Sequence, residues 1–331
     1  MTTKQDNLII LSRSSSNKIA IIHHDIEPAE IKFKDLFIEE GCSVDFLDIR
    51  NIKLKDFLKY DLVFNRVYSS VASRDYKILF KTLSLLKKLE KKGIKCVNSY
   101  SASLADYNKY ELYKMLNENG VNTPPTLFFK SKKEMNSVIQ KAIETFGFPL
   151  VIKRNCGGKS YEVTKVYTKK ELLITLKQMF NLAKQQGYKA GFIIQKFIKS
   201  SRDHDVRVAI VEGKFLYSYS RSFISRNSED KWMASTSGGS LEMPYDAMSE
   251  EIDIATRASK FIRASFSESD VIMTSEGPCI IEVNPTAGYF IDNFDDLDRM
   301  KLIVKTLINK DISLEVSSNQ EQIIPLIPEV N

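Results

Sequence analysis

The sequence predicts an α/β protein. Short apolar runs rich in Ile, Val and Phe alternate with longer segments of helical spacing over the first hundred residues, and glycines close the helical segments. The 331-residue chain, 43% hydrophobic, is also long enough to bury a full core and divide into two or three lobes.

Lys18–Ile22 reads as a buried strand. Residues 29–40 carry helical spacing through Ile31, Leu36 and Phe37, and Gly41 stops that helix. Residues 43–47 form the next strand, a short helix starts at Leu54, and residues 61–64 form the third strand. A long amphipathic helix over 76–92 is closed by Gly93, and the fourth strand is 95–98. This alternation predicts a small parallel sheet covered by helices. Residues 102–119 then read as one helix, with Leu104, Leu112, Met115 and Leu116 on its apolar face and Gly120 as its end. Pro124 and Pro125 break the chain before a strand at 126–129. A helix over 132–146 leads to a strand at 149–153, a Gly-bearing loop, and a strand at 162–166. The helix 169–186 precedes strands at 192–195, 206–211 and 215–219. Helices are expected over 249–267 and 297–309, and the end of the chain, with Pro325 and Pro328, reads as a surface tail. No internal repeat is evident.

Composition narrows the function. No run of 18 apolar residues exists, and Met1–Asn7 lacks a signal-peptide pattern, so a soluble cytoplasmic protein is expected, with no membrane partner. Cys42, Cys96, Cys156 and Cys279 are scattered without a CxxC pair, which argues against a zinc ribbon or a disulfide framework. The net charge of +6 is spread along the chain, and the cluster Lys87–Lys92 fits a solvated helix face. Nucleic acid is therefore not the expected partner, while an anionic substrate such as a nucleotide phosphate is compatible. Only three histidines occur, which disfavours Ser/His or Cys/His nucleophilic chemistry.

The richest stretch runs from Asp270 to Pro285. Residues 280–284 read as a strand, so Glu282 and Asn284 point one way while Ile281 and Val283 face the core. The turn-rich Ser275–Pro278 can fold the Asp270 strand back beside it. Two carboxylates and an amide then converge, the hard oxygen donors that Mg²⁺ takes at about 2.1 Å while it also holds phosphates. Upstream, Asn155–Ser160 contains Gly-Lys-Ser, but a P-loop needs Gly where Lys153 stands. What survives is a strand ending in Lys153 and a Gly157–Gly158 turn, whose N–H groups can approach phosphate beside the Lys153 charge. Asp205 and Arg207 share one strand face, suited either to ribose hydroxyls and phosphate or to a cross-strand ion pair, and Arg221 follows on a neighbouring strand. His23, His24 and Asp25 after the first strand, and Arg66 after the third, sit at loop ends where such sheets bind ligands.

This ordered series, from about Asn98 to Asn309, resembles the ATP-grasp superfamily, in particular its RimK-like branch of carboxylate–amine ligases. Val97-Asn98, Asn108-Lys109, Leu116, Gly120-Val121 and Pro124 or Pro125 with Thr126 resemble the entry to its ATP site. Phe148–Lys153 with Gly157-Gly158 resembles its lysine strand and phosphate loop. Gln195–Ile198, Asp205-Val-Arg207 and Arg221 follow in family order, and Asp270, Glu282 and Asn284 match its metal triad. There are departures. Asn108 replaces the usual Asp, the Gly loop is poorer in Gly, and Lys231–Ser237 replaces an aromatic-Arg-x-Asn run before Gly238-Gly239.

The resemblance implies an ATP-grasp fold: a Rossmann-like pre-ATP-grasp domain over 1–100, an ATP-grasp domain over 101–310 with its lid at about 122–196, and a tail over 311–331. It implies an ADP-forming ligase that joins a carboxylate to an amine through an acylphosphate. The cofactors would be ATP and one or two Mg²⁺ ions, with Mn²⁺ as a substitute. Lys109, Lys153, Gly157 and Gly158 would hold the phosphates, Gln195, Lys196, Phe197 and Ile198 the adenine edge, and Asp205 another polar part of the nucleotide. Asp270, Glu282 and Asn284 would hold the metal, and Arg221 with Arg207 would stabilise the transferring phosphoryl group. Residues 155–161 would act as a lid loop over ATP. The expected partners are a small-molecule amino acid and a carboxylate or peptide acceptor, and a homo-oligomer is left open. A catalytically silent ATP-binding regulator and a peptide-ring-forming ligase are the alternatives.

Overall fold

A computed structural model describes residues 17–158, 162–225, 230–290 and 294–308; loop positions 159–161 and the tail 311–331 lie outside them. The described chain opens on β1 (Lys18–His23), followed by α1 (Pro28–Glu39), β2 (Ser43–Asp48), β3 (Leu62–Asn65), α2 (Ala72–Glu90) and β4 (Lys95–Val97). The four strands pair in parallel in the order β2-β1-β3-β4. Ile19 to Ile22 are buried without a break, as a central parallel strand covered on both faces requires.

Residues 102–119 were expected as one helix, and here the structure differs. It has α3 (Tyr100–Tyr107) and α4 (Lys109–Glu118), broken at Asn108, whose backbone is extended. The Asn108 side chain accepts from Glu111 N at 3.1 Å and so caps α4, which explains why Asn can stand there for the usual Asp.

A second sheet follows, built from β5 (Thr126–Phe129), β6 (Leu150–Arg154), β7 (Thr164–Val166) and β8 (Phe192–Lys196) in antiparallel order β5-β8-β6-β7. Its helices α5 (Lys132–Phe146) and α6 (Lys169–Gln185) press Ile139, Ala142, Leu172 and Leu176 onto one face. The other face is left for the site.

The third sheet contains β9 (His204–Val211), β10 (Lys214–Ser222), β13 (Glu242–Pro244), β14 (Phe266–Thr274) and β15 (Gly277–Asn284), in the order β13-β10-β9-β14-β15. Between them lies a small hairpin, β11 (Ile224–Ser225) with β12 (Lys231–Met233). α7 (Ser249–Ile262) covers one face of the sheet, packing Ile254, Ala255, Ala258 and Ile262 on Val206, Val208, Val271, Ile280 and Val283. Truncating Ile254 or Ile262 to Ala in this packed layer costs about 2–5 kcal/mol. α8 (Phe294–Leu307) packs Met300, Ile303 and Val304 into the core that holds Ile19 and Ile21 of the first sheet and Phe33 of α1.

Three further expectations are corrected. The helix expected over 249–267 ends at Ile262 because Arg263 turns left-handed, with φ 60°, and residues 266–267 already belong to β14. The strands β11, β12 and β13 went unread, because runs of two or three residues carry no periodicity. Finally, Ile281 packs beside Phe223, Ile272 and Cys279 on the cavity side rather than in the core under α7. Val271 pairs with Ile280 and Asp270 with Glu282, so Ile281 is the extra residue of a β-bulge, and Ile280 and Val283 fill the core instead. No helix of the described residues is long and apolar enough to cross a membrane.

Candidate active site

The uncovered faces of the second and third sheets enclose a cavity of about 860 Å³. Lys109, Lys153, Gly157, Gly158, Gln195, Lys196, Phe197, Ile198, Asp205, Asp270 and Glu282 all line it. Residues more than 170 positions apart in the chain thus meet in one place. Arg207, Arg221 and Asn284 do not line the cavity; they lie beside the residues that do.

The carboxylate end is a paired lattice on the polar face of the third sheet. Asp205 and Arg221 are directly opposed across β9 and β10, and Asp270 lies opposite Arg207 across β14 and β9. Arg221 Nε donates to Asp205 Oδ1 at 3.0 Å, and Arg221 Nη2 reaches Asp270 Oδ2 at 2.9 Å. Arg207 Nε donates to Asp270 Oδ1 at 2.8 Å. Burial alone would raise the Asp270 pKa, but the two guanidinium groups hold it down at about 2. Asp205, buried and beside the Asp270 charge, is pushed up despite Arg221. The cross-strand ion pair left open for Asp205 and Arg207 is therefore present, in interleaved form.

Glu282 faces Asp270 across the hairpin. The tight turn before it needs Gly277, whose φ is +104°. Lys109 Nζ donates to Glu282 Oε1 and, at 3.0 Å, to the carbonyl of Gly157. Burial opposes the charge on Glu282, but Lys109 and Lys153 together outweigh it, so its pKa falls. Lys153, on β6, is not the last residue of its strand as expected; Arg154 is. Arg154 pairs with Glu162, and Lys153 beside it lines the cavity. Burial lowers the Lys153 pKa to about 8, with Lys109 pushing the same way against Glu282 and Asp270.

The Gly157–Gly158 loop runs close against the first sheet's connection. A Cβ on Gly158 would meet Ser69 Oγ at 2.7 Å and Ser70 N at 3.1 Å, so this position is restricted to Gly.

The donor set of Asp270, Glu282 and Asn284 fits Mg²⁺. Asn284 Nδ2 is engaged on the Glu268 carbonyl at 3.2 Å, which leaves its amide oxygen as the free donor beside two cross-strand carboxylates. Their present cationic partners show how strongly this corner favours positive charge.

Sequence reasoning missed several residues here. Glu268 is buried under Tyr289 Oη at 3.0 Å, the Tyr217 hydroxyl and Arg207 Nη1 at 3.3 Å. The signal was present, since Glu268 and Asp270 are two apart on one strand and share a face. Lys165 on β7 is 1% exposed, with its Nζ 4.4 Å from the Phe197 ring centre, 5.1 Å from that of Trp232, and paired with Asp230. That cluster ties β7 to β12 across one end of the cavity, so the segment departing from the family pattern forms a wall through Trp232, Met233 and Ala234. Conversely, His23, His24, Asp25 and Arg66 stay outside the cavity lining. Arg66 is fully buried against Glu30 at 3.0 Å, and His24 pairs with Asp25 at 3.0 Å.

Two sheets closing on a cavity, with lysines from one and paired acids from the other, define an ATP-grasp protein. The chain belongs to the RimK-like ATP-grasp domain family, whose model matches residues 106–312. It is 25% identical over 236 residues to a probable alpha-L-glutamate ligase of Thioalkalivibrio sulfidiphilus, covering 71% of this chain and 72% of that one. It is 25% identical over 208 residues to beta-citrylglutamate synthase B of Mus musculus, covering 62% of this chain and 51% of that one. Among solved structures, the D-alanine–D-alanine ligase of Bacillus anthracis superposes with a TM-score of 0.62 at 19% identity, covering 88% of this chain and 98% of that one. The RimK domain ATP-grasp protein of Sphaerobacter thermophilus gives 0.62 at 14% identity, covering 87% and 98%.

Proposed function

We propose that this chain is an ADP-forming ligase that activates a carboxylate with ATP and joins it to the amino group of a glutamate-like amino acid. The observation that carries the reading is the meeting of Lys109 and Lys153 with the Asp270–Glu282 pair in one cavity. That arrangement neutralises a polyphosphate at its transferring end and needs no histidine base. Relatives named as probable alpha-L-glutamate ligase and beta-citrylglutamate synthase support the amino-acid class. The acceptor carboxylate would belong to a peptide, a protein or a small molecule.

In this reading, Lys153 and Lys109 take the phosphates, with the Gly157–Gly158 backbone beside them. The backbone of Gln195 to Ile198 meets the adenine edge, and Asp205 another polar part of the nucleotide. Asp270, Glu282 and Asn284 would hold Mg²⁺, which neutralises charge on the phosphates when bound. Arg207 and Arg221 orient the two aspartates and keep Asp270 ionised. The substrate carboxylate attacks the γ-phosphorus, ADP leaves, and the amine displaces phosphate from the acylphosphate. The same reading divides the chain into a pre-ATP-grasp domain to about residue 100 and an ATP-grasp domain to about 310.

The test is ADP release from Mg-ATP across a panel of carboxylates and amino acids, with mass spectrometry of the products. A mass equal to the two substrates less water is the expected result. ATP binding with no substrate-dependent ADP under any pairing would overturn the reading in favour of a silent ATP-binding protein.

A further inference from the structure

One buried ammonium beside the cavity has no role in the chemistry above. Lys165 sits on β7, the edge strand of the second sheet. It is opposed across β6 by Val151, which is opposed in turn by Gln195 of β8, and residues directly opposite each other share a face. Val151 and Gln195 line the cavity, so the Lys165 side chain leaves the sheet on the cavity's side. That side chain is nonetheless 1% exposed.

Three aromatic rings stand where water would. Lys165 Nζ lies 4.4 Å from the ring centre of Phe197, 5.1 Å from that of Trp232 and 5.3 Å from that of Tyr167. Asp230 supplies the countercharge, and the Tyr167 hydroxyl donates to the same carboxylate at 2.8 Å. Phe197 and Trp232 also meet edge to face, with ring centres 6.2 Å apart. Taking an ammonium out of water is costly, and cation–π contacts offset part of that cost. A methionine would bury a side chain of similar length without it. The charge is therefore better explained by what it holds together than by what it adds to the core.

It holds together two walls of the cavity. Lys165 and Tyr167 belong to the second sheet and the residue after it, whereas Asp230 and Trp232 belong to the β11–β12 hairpin that interrupts the third sheet. Phe197 follows β8 directly and stands between them. Phe197, Asp230 and Trp232 all line the cavity. Lys109 is engaged elsewhere, on Glu282 and the Gly157 carbonyl.

We propose that Lys165 is a positioning residue for the nucleobase: it pins the β11–β12 hairpin and the Phe197 ring, so that the base end of the cavity is formed before the nucleotide arrives. This rests on the nucleotide reading above, in which the backbone of Gln195 to Ile198 meets the adenine edge. Lys165 itself touches no part of the nucleotide. Its effect passes through Phe197, whose backbone lies in that edge, and through Trp232 in the wall beside it. A preformed pocket avoids the ordering that a loose hairpin would undergo on binding.

Trp232 is the chain's single tryptophan, so its fluorescence reports on the hairpin. The experiment uses the full chain and Lys165→Met, with thermal melts to confirm folding. Calorimetry compares Mg-ATP with Mg-tripolyphosphate, which offers the phosphates without a base. In Lys165→Met the Kd for ATP is expected to rise about tenfold or more, while that for tripolyphosphate stays within about twofold. Acrylamide quenching of Trp232 in the ligand-free protein is expected to rise about twofold or more. Asp230→Asn changes a side chain that is 55% exposed, and it should move both readouts the same way. It decides the question if Lys165→Met does not fold. Equal weakening of the two ligands, or an unchanged ATP affinity, overturns the proposal. Unchanged quenching does so too, because the effect would then not pass through the hairpin. Wild-type protein that binds no ATP overturns the nucleotide reading itself, an outcome seen before any variant is made.

Discussion

Lys109 joins two parts of the site with one ammonium: its Nζ donates to Glu282 on β15 and to the carbonyl of Gly157 in the glycine loop after β6. Glu282→Gln removes the charge from that link and from the proposed metal set together. Carboxylate- and amine-dependent ADP release should fall about 100- to 1,000-fold in Glu282→Gln, and likewise in Asp270→Asn. Circular dichroism should still show a folded protein. Full turnover by both variants with Mg²⁺ would remove both carboxylates from the metal assignment.

Lys153 should trade stability for binding. Its pKa, lowered to about 8 by burial, means that the fold carries an ammonium it disfavours. Lys153→Met should therefore raise ligand-free stability at pH 7, by at most about 3 kcal/mol, while ATP binding weakens but stays measurable. Phosphate contact favours the charged form, so binding takes up a proton above the ligand-free pKa. Calorimetry should show ATP affinity falling as pH rises beyond 8 in the wild type, with no such fall in Lys153→Met.

Arg221→Met should be severe for stability. It leaves Asp205 buried without its partner and Asp270 with one guanidinium fewer, a change of about 3–5 kcal/mol in urea unfolding. Asp270 also gives stability a pH dependence of known sign. Its folded pKa of about 2 lies below the unfolded value, so its contribution is present above about pH 4 and lost as pH falls toward 2. The Arg221→Met protein should lose less across that window than the wild type.

Gly158→Ala tests the close approach to Ser69. The added methyl would meet Ser69 Oγ at 2.7 Å, so the loop must shift, and the KM for ATP should rise about tenfold. Adding Ser69→Ala removes the nearest atom and should recover part of the loss, while Ser70 N at 3.1 Å limits the rescue. Equal KM values in all three proteins would show that the loop does not approach phosphate at this residue.

Much of this was legible in the chain. Alternating apolar runs announced the parallel sheet, and residue types at fixed offsets announced Lys109, Lys153, Asp270, Glu282 and Asn284, although Asn284 and both arginines stand beside the cavity rather than in its lining. What escaped has a common cause. The break at Asn108 carries neither Gly nor Pro, because an Asn cap ends one helix and starts the next in a single residue. The Glu268 cluster depends on Tyr217 and Tyr289, 51 and 21 residues away, and no local period links them.

The bulge at Ile281 alters how the spacing of the two carboxylates should be counted. On a straight hairpin closed as Thr274 is by Gly277, directly opposed residues are always an odd number apart, and Asp270 would meet Ile281. Asp270 and Glu282 are an even twelve apart, and only an extra residue can reconcile that number with face-to-face pairing. Deleting Ile281 would keep the acids opposed, whereas inserting one residue between Ile281 and Glu282 would need a second bulge. For two strands joined by a two-residue loop, the interval between opposed acids therefore records a parity, and an even count marks an irregular strand.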